Sequence, residues 1–187
     1  MTSKPLIVMA LPQEAQAAFD GLPVTFCGVG KVNATHHLTK SLLTERPTHV
    51  VNLGTAGSSV HPASSIVNCT AFVQRDMDAS ALGFARYTTP FDTASQPVLR
   101  YGTRHSMFAE AICGSGDNFH TDGHCPDYDV VDMEAYALGH ICQREEVRFS
   151  CLKYITDGAD GSAANDWQTM LTQAAKALRT AYDSIAT

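Results

Sequence analysis

Val131-Asp132-Met133-Glu134-Ala135, followed 23 residues after Glu134 by Asp157 in Ile155-Thr156-Asp157-Gly158-Ala159-Asp160, is the stretch on which the reading of this chain turns. Each carboxylate stands where an apolar segment gives way to a polar one. Between them lie one helix, from Glu134 to about Arg144, and one strand, Phe149 to Ile155. Ala137, Leu138, Ile141 and Cys142 make the apolar face of that helix. A single β-α-β crossover then carries Glu134 and Asp157 to the same edge of a parallel sheet. Two acids converging there suggest acid or base chemistry, or recognition of sugar hydroxyls.

Outward from this unit the same alternation repeats. Leu6 to Ala10 is a continuous apolar run, as a strand covered on both faces requires. Gln13 to Phe19 can make a short helix, and Val24 to Gly28 a second strand that ends at Gly28-Val29-Gly30-Lys31. Val32 to Thr44 reads as a helix, and His49 to Leu53 as a third strand ending at Gly54-Thr55-Ala56-Gly57. Ile66 to Val73 is rich in strand formers. Residues 76–107 are irregular. Ala111 to Gly114 is short and apolar and ends in Ser115-Gly116-Asp117. A final helix carries Trp167, Met170, Leu171, Ala174, Ala177, Leu178, Ala181 and Ile185 at helical spacing, with Asn165 or Asp166 to cap it. This pattern predicts an α/β fold with one domain over residues 1–187 and a largely parallel sheet.

The bulk numbers exclude several classes. A chain of 187 residues suits one well-buried domain, and 44% hydrophobic residues is ordinary for a globular protein. The net charge of −6 comes without a basic patch, so neither nucleic acid nor an anionic membrane is expected as a partner. No apolar run approaches a membrane span, and the six apolar residues before Pro12 are too few for a signal-peptide core. The six cysteines form no C-x-x-C pair and lie mostly in apolar segments, which fits free thiols in a reducing, cytoplasmic setting. His120, His124 and Cys125 lack a zinc spacing and read as a polar loop, so no metal or other cofactor is expected.

Ligands of such sheets sit beyond the carboxyl ends of the strands. Small residues cluster at three of these ends and carboxylates at the others, among them Glu14. Each feature has an ordinary alternative. Gly28-Val29-Gly30-Lys31 is neither a Walker A loop nor a full dinucleotide fingerprint and can be a tight turn. Glu134 can be a helix-start acid, and Asp157 can cap the turn after it. Trp167 can belong to the core.

Taken together, the junctions resemble those of the nucleoside phosphorylase and nucleosidase superfamily, most of all its 5′-methylthioadenosine/S-adenosylhomocysteine nucleosidase branch. The matching pieces are Ala10-Leu11-Pro12-Gln13-Glu14, Gly28-Val29-Gly30-Lys31-Val32-Asn33-Ala34, Asn52-Leu53-Gly54-Thr55-Ala56-Gly57, Ser115-Gly116-Asp117-Asn118-Phe119 and the two acidic motifs quoted first. The resemblance implies a three-layer α/β/α sandwich around a mixed sheet, a homodimer, and cleavage of the N-glycosidic bond of a purine nucleoside. It implies that Asp157 protonates purine N7, Glu14 positions the attacking water, and Glu134 binds the ribose with Met133 against the sugar. It places Phe119 on the base, Trp167 near the 5′ substituent, and Val29, Ala56 and Gly57 along the substrate.

Phosphorolytic relatives hold phosphate with arginines, one of them just before the glycine-rich turn of the third strand. Here that place is Asn52, and no arginine lies between Met1 and Thr44. Water is therefore the expected nucleophile. As a departure from the family pattern, Lys153 replaces a frequent arginine. The rival readings are a nucleosidase for another purine nucleoside such as futalosine, a phosphorylase, and a nucleoside-binding protein without turnover.

Overall fold

The amino-terminal apolar run forms β1 (Leu6–Met9), and all four of its residues are buried. The cause is a core on each side. Leu6 and Val8 pack into one apolar cluster, Ile7 and Met9 into another. Side chains alternate across a strand, so a run without polar residues needs both faces covered. In β3 (His49–Gly57) and β8 (Arg148–Asp157), Val50, Phe149 and Cys151 face the first cluster, whereas Val51, Leu53, Leu152 and Tyr154 face the second. This computed structural model describes residues 5–121, 123–160 and 163–186, with the backbone alone for 163–169.

Helices α2 (Lys31–Glu45) and α3 (Ala135–Arg144) cover the first face with Leu38, Leu42, Leu138 and Cys142. On the second face lie the short α1 (Pro12–Ala15) and the long α4 (Ala163–Ile185), the latter through Ala174, Leu178 and Ala181. The remaining strands are β2 (Val24–Phe26), β4 (Ile66–Gln74), β5 (Leu99–Arg100), β6 (Ala109–Ser115) and β7 (Val130–Asp132). Parallel pairs join β1 to β2 and β3, β3 to β8, β4 to β6, and β6 to β7. Antiparallel pairs join β3 to β7, β4 to β5, and β4 to β8. The sheet is largely parallel, as the alternation of strands and helices predicts, and it is mixed and lies between two helical layers, as the family resemblance implies.

The pairings also close a ring that no local pattern announces: β3, β8, β4, β6, β7 and back to β3. The closing contact is narrow, with Gly57 opposite Val131. It brings the ends of β3, β7 and β8 together, because Gly57 also pairs with Asp157.

Three local expectations change. β3 does not stop at Leu53; it runs through the small residues and pairs Gly54–Gly57 with β8. A Cβ on Gly57 would lie 2.5 Å from Asp157 Oδ1, so this glycine serves close approach rather than a turn. The first helix breaks at Gln16, whose φ is 45°, and continues as a 3₁₀ turn over Gln16–Phe19. Arg179 of α4 takes up a carbonyl of that turn, Ala18 O, at 2.9 Å. Finally, α4 starts at Ala163, so Asn165 and Asp166 lie inside its first turn instead of capping it. All six cysteines are free, and five are buried. No described helix is long and apolar enough to cross a membrane.

At the opening ends of β3 and β8, a partly buried chain of hydrogen bonds has one consistent direction. The Arg148 guanidinium donates to His49 Nδ1 (2.8 Å), so His49 Nε2–H donates to Ser150 Oγ (2.9 Å). The Ser150 hydroxyl then donates to His105 Nε2 (2.9 Å). Burial first, then the Arg148 charge and His105, depress His49 from 6.5 to about 4. Below its unfolded value the unfolded chain takes a proton that the folded one refuses. Folding stability should therefore be full above about pH 6.5 and decline as pH falls toward about 4, by on the order of 3 kcal/mol. Urea midpoints across this window check it. His49→Gln should flatten the slope, and an unchanged slope would contradict the assignment.

Candidate active site

Glu14 stands in the first turn of α1, after Pro12 at the first helical position, and is buried. Its side chain bends back so that Leu11 N–H donates to Oε2 (3.2 Å). Its Oε1 accepts from the Thr55 N–H (2.8 Å) and hydroxyl (2.7 Å) of β3. A Cβ on Gly54 would lie 3.3 Å from both Glu14 Oε1 and Lys153 Nζ, so the bare backbone there leaves room for both groups.

Beneath this carboxylate lies a buried ion pair, Lys153 Nζ to Asp132 Oδ2 at 2.8 Å. Asp132 also accepts from the Ser115 hydroxyl and from Ala135 N–H (2.9 Å), and Ser115 Oγ accepts from Tyr136 N–H (2.8 Å). Two of the open N–H groups at the start of α3 are thus satisfied by strand ends. Burial works against both charges. The Asp132 carboxylate nevertheless holds Lys153 well above the ordinary lysine value, and Lys153 holds Asp132 below the ordinary carboxylate value.

Glu134 occupies the N-cap position of α3 but caps nothing with its own side chain. Instead Oε1 accepts from Gly30 N–H at 2.8 Å, across to the start of α2. Gly30 adopts φ 89°, which a side chain would strain. Burial and then the Asp132 charge push Glu134 up to about 8, against the opposing effects of Lys153 and Gly30 N–H. Asp157 ends β8. Thr156 Oγ1–H donates to its Oδ2 (2.7 Å) and Ala159 N–H to its Oδ1 (2.9 Å). The turn-capping alternative therefore describes one of its bonds, and the residue still faces the cleft.

Glu14, Glu134 and Asp157 line one cleft of about 220 Å³. Val29, Ala56, Gly57, Phe119 and Met133 line it too. Val29 and Phe119 are exposed at 41% and 50%. Trp167 falls in the first turns of α4, and its side chain lies outside the described residues.

The sequence reading missed several groups. Arg75, just after β4, lines the cleft and belongs to no motif. Thr55 and Thr156 orient the carboxylates. The Asp132–Lys153 pair did leave a signal, because a lysine in the mostly apolar Phe149–Ile155 run needs a counter-ion. Asn52 is buried away from the cleft: its Nδ2 donates to Val8 O (3.1 Å) and its Oδ1 accepts from Cys151 Sγ (3.3 Å). Lys31 Nζ pairs with Asp76 and lies 3.8 Å from Asp117. In the histidine loop, His120 Nε2 meets Gly123 O at 3.2 Å and His124 Nδ1 lies 3.4 Å from Ser59 Oγ. Among the described residues no group of His, Cys, Asp and Glu is arranged to hold a metal ion.

The family model described as the phosphorylase superfamily matches residues 22–186. A 5′-methylthioadenosine/S-adenosylhomocysteine nucleosidase of Actinobacillus succinogenes is 29% identical over 171 residues, which cover 80% of this chain and 73% of the relative. The protein of that name from Staphylococcus carnosus is 27% identical over 174 residues, 82% and 75% of the two chains. Among solved structures, the 5′-methylthioadenosine/S-adenosylhomocysteine nucleosidase of Helicobacter pylori with butyl-thio-DADMe-Immucillin-A matches with a TM-score of 0.86. The identity is 21%, over 98% of this chain and 97% of the other. The futalosine hydrolase of Helicobacter pylori strain 26695 matches equally, with a TM-score of 0.86 and 21% identity over the same shares. These two likenesses speak for the fold.

The ion pair under the cleft yields a stability prediction. Lys153→Met should cost about 3–5 kcal/mol in chemical denaturation, because it strands Asp132 in a dry interior. Asp132→Asn in the same chain should restore part of the loss. Additive losses in the double variant would show that the two charges are not coupled.

Proposed function

The chain belongs to the phosphorylase superfamily, and we propose that it hydrolyses the N-glycosidic bond of a purine nucleoside, with a 5′-methylthioadenosine/S-adenosylhomocysteine type of substrate. The observation that carries this reading is the meeting of Glu14, Glu134 and Asp157 in one cleft beside Phe119 and Met133. The nucleosidase names of the aligned relatives support it.

In this reading the base stacks on Phe119 with N7 toward Asp157. As the C1′–N9 bond breaks, its electron pair leaves with the base, and a proton from Asp157 goes to N7. The base then departs neutral. The sugar left behind resembles an oxocarbenium ion, and the carboxylates at the rim stabilise its charge. Glu14, held by three donors, orients a water and takes its proton as the oxygen bonds to C1′. Glu134 accepts the ribose hydroxyls. The products are a purine and a 5-substituted ribose.

Water rather than phosphate is the nucleophile. Lys31 and Lys153 are tied to aspartates, and the Arg75 fork is occupied by amide oxygens. A phosphate would have to displace these partners.

Mass analysis of products after exhaustive dialysis should show free 5-substituted ribose with or without added phosphate. A 1-phosphate sugar that grows with phosphate would overturn the hydrolase reading. Including futalosine, inosine and 5′-methylthioadenosine in the panel ranks the 5′ groups. Asp157→Asn should lower kcat by at least roughly 10²–10⁴-fold with the fold intact, since an amide cannot deliver the proton.

The buried Glu134 carboxyl predicts a pH dependence. Losing its proton turns it into an acceptor for both hydroxyls, so kcat/KM should rise with pH and level off above about 8. Glu134→Gln should remove that limb. A limb that persists in the variant would assign it to another group.

A further inference from the structure

Arg75 is a cleft residue that this chemistry leaves without a task. Its main-chain N–H donates to Ser115 O (2.9 Å), which seats it beside the end of β6. The side chain is buried, at 8% exposure. Nη1 donates to Asn118 Oδ1 (2.7 Å), and Nη2 donates to Asn118 O and to Gly116 O (3.4 Å). No carboxylate pairs with this guanidinium among the described residues, and its Nε–H has no partner there. A buried cation bonded only to neutral oxygens adds little to stability, so its use lies elsewhere.

The guanidinium lies close against the turn 116–118. A Cβ on Gly116 would sit 2.8 Å from Arg75 Cζ and 2.9 Å from Nη1. The neighbouring Asp76 holds the same turn: its Oδ2 accepts from Asp117 N–H (2.9 Å), and Asp117 Oδ1 in turn accepts from Lys31 N–H (2.7 Å). The next residue is Phe119, half exposed on the cleft wall and without a ring partner among the described residues. An aromatic so placed takes its position from the turn that carries it.

We propose that Arg75 is a positioning residue: its fork fixes the turn 116–118 and so holds Phe119 over the cleft as the face on which the purine stacks. This rests on the nucleosidase reading. Arginine suits the task because a planar fork reaches acceptors on two residues at once, which a lysine ammonium on its flexible stem does not reproduce. Stacking acts on substrate and transition state alike, so the effect falls on KM and leaves kcat nearly unchanged.

The test is a double-mutant cycle read as KM and kcat. Phe119→Ala, Arg75→Met and Arg75→Lys should each raise KM roughly ten- to a hundredfold, the range for a lost base–aromatic stack. Arg75→Met combined with Phe119→Ala should be no worse than Phe119→Ala alone. Multiplied losses in the double variant, a fall in kcat in place of a rise in KM, or full rescue by lysine would each overturn the proposal. If Arg75→Met does not fold, Asn118→Ala replaces it, with KM expected to rise in the wild-type background and not beside Phe119→Ala. Equal effects in both backgrounds would refute the coupling.

Hydrogen exchange reads the clamp without substrate. The Gly116 and Asp117 amides should exchange faster in Arg75→Met, and unchanged exchange would overturn the clamp. An inactive wild type would overturn the nucleosidase reading instead, and calorimetric binding of a purine base would then carry the same cycle.

Discussion

The ion pair between Lys153 and Asp132 is the contact on which the arrangement of this molecule hangs. Both groups are almost wholly buried, and each charge alone would be costly there. The cost is offset by a set of partners drawn from different elements: Lys153 from β8, Asp132 from β7, Ser115 from β6 and the first N–H groups of α3. Satisfying that set requires the strand ends to converge, and their convergence is what closes the ring at Gly57 and Val131. Glu14 lies against the same region above Gly54. The pair also tunes the cleft. Asp132 raises Glu134, and Lys153 opposes it only in part.

The cleft is assembled with two kinds of rigidity. Its carboxylates are carried by strand ends and by the first turns of helices, and each accepts from a main-chain N–H: Thr55 for Glu14, Gly30 for Glu134 and Ala159 for Asp157. The aromatic wall is different. Phe119 follows a short turn, and the side chains of Arg75 and Asp76, just after β4, bond to that turn. The carboxylates are thus anchored in the sheet, whereas under the proposed reading the stacking face depends on the turn 116–118. Small residues make both possible, because Gly54, Gly57 and Gly116 stand where a Cβ would meet a functional side chain.

Much of this could be read from the chain itself, and the reasons are local. Apolar runs and helical spacing are written in consecutive residues, so the alternation of strands and helices, and with it an α/β fold with a largely parallel sheet, follows from the sequence, whereas the mixed three-layer form was implied by the family resemblance. A carboxylate at the end of an apolar run must emerge at the edge of the sheet, so Glu14, Glu134 and Asp157 could be placed at one edge before any coordinates. The tertiary structure decided what depends on partners distant in sequence. It carried β3 through Gly57, because only the approach of Asp157 shows that the glycine is needed inside a strand. It withdrew Asn52 from the cleft, since that amide bonds to β1 and β8. It brought Arg75 against a turn some forty residues away, a contact without a local signature. Periodicity reports which face of an element is buried; it does not report which polar groups meet once those faces are packed.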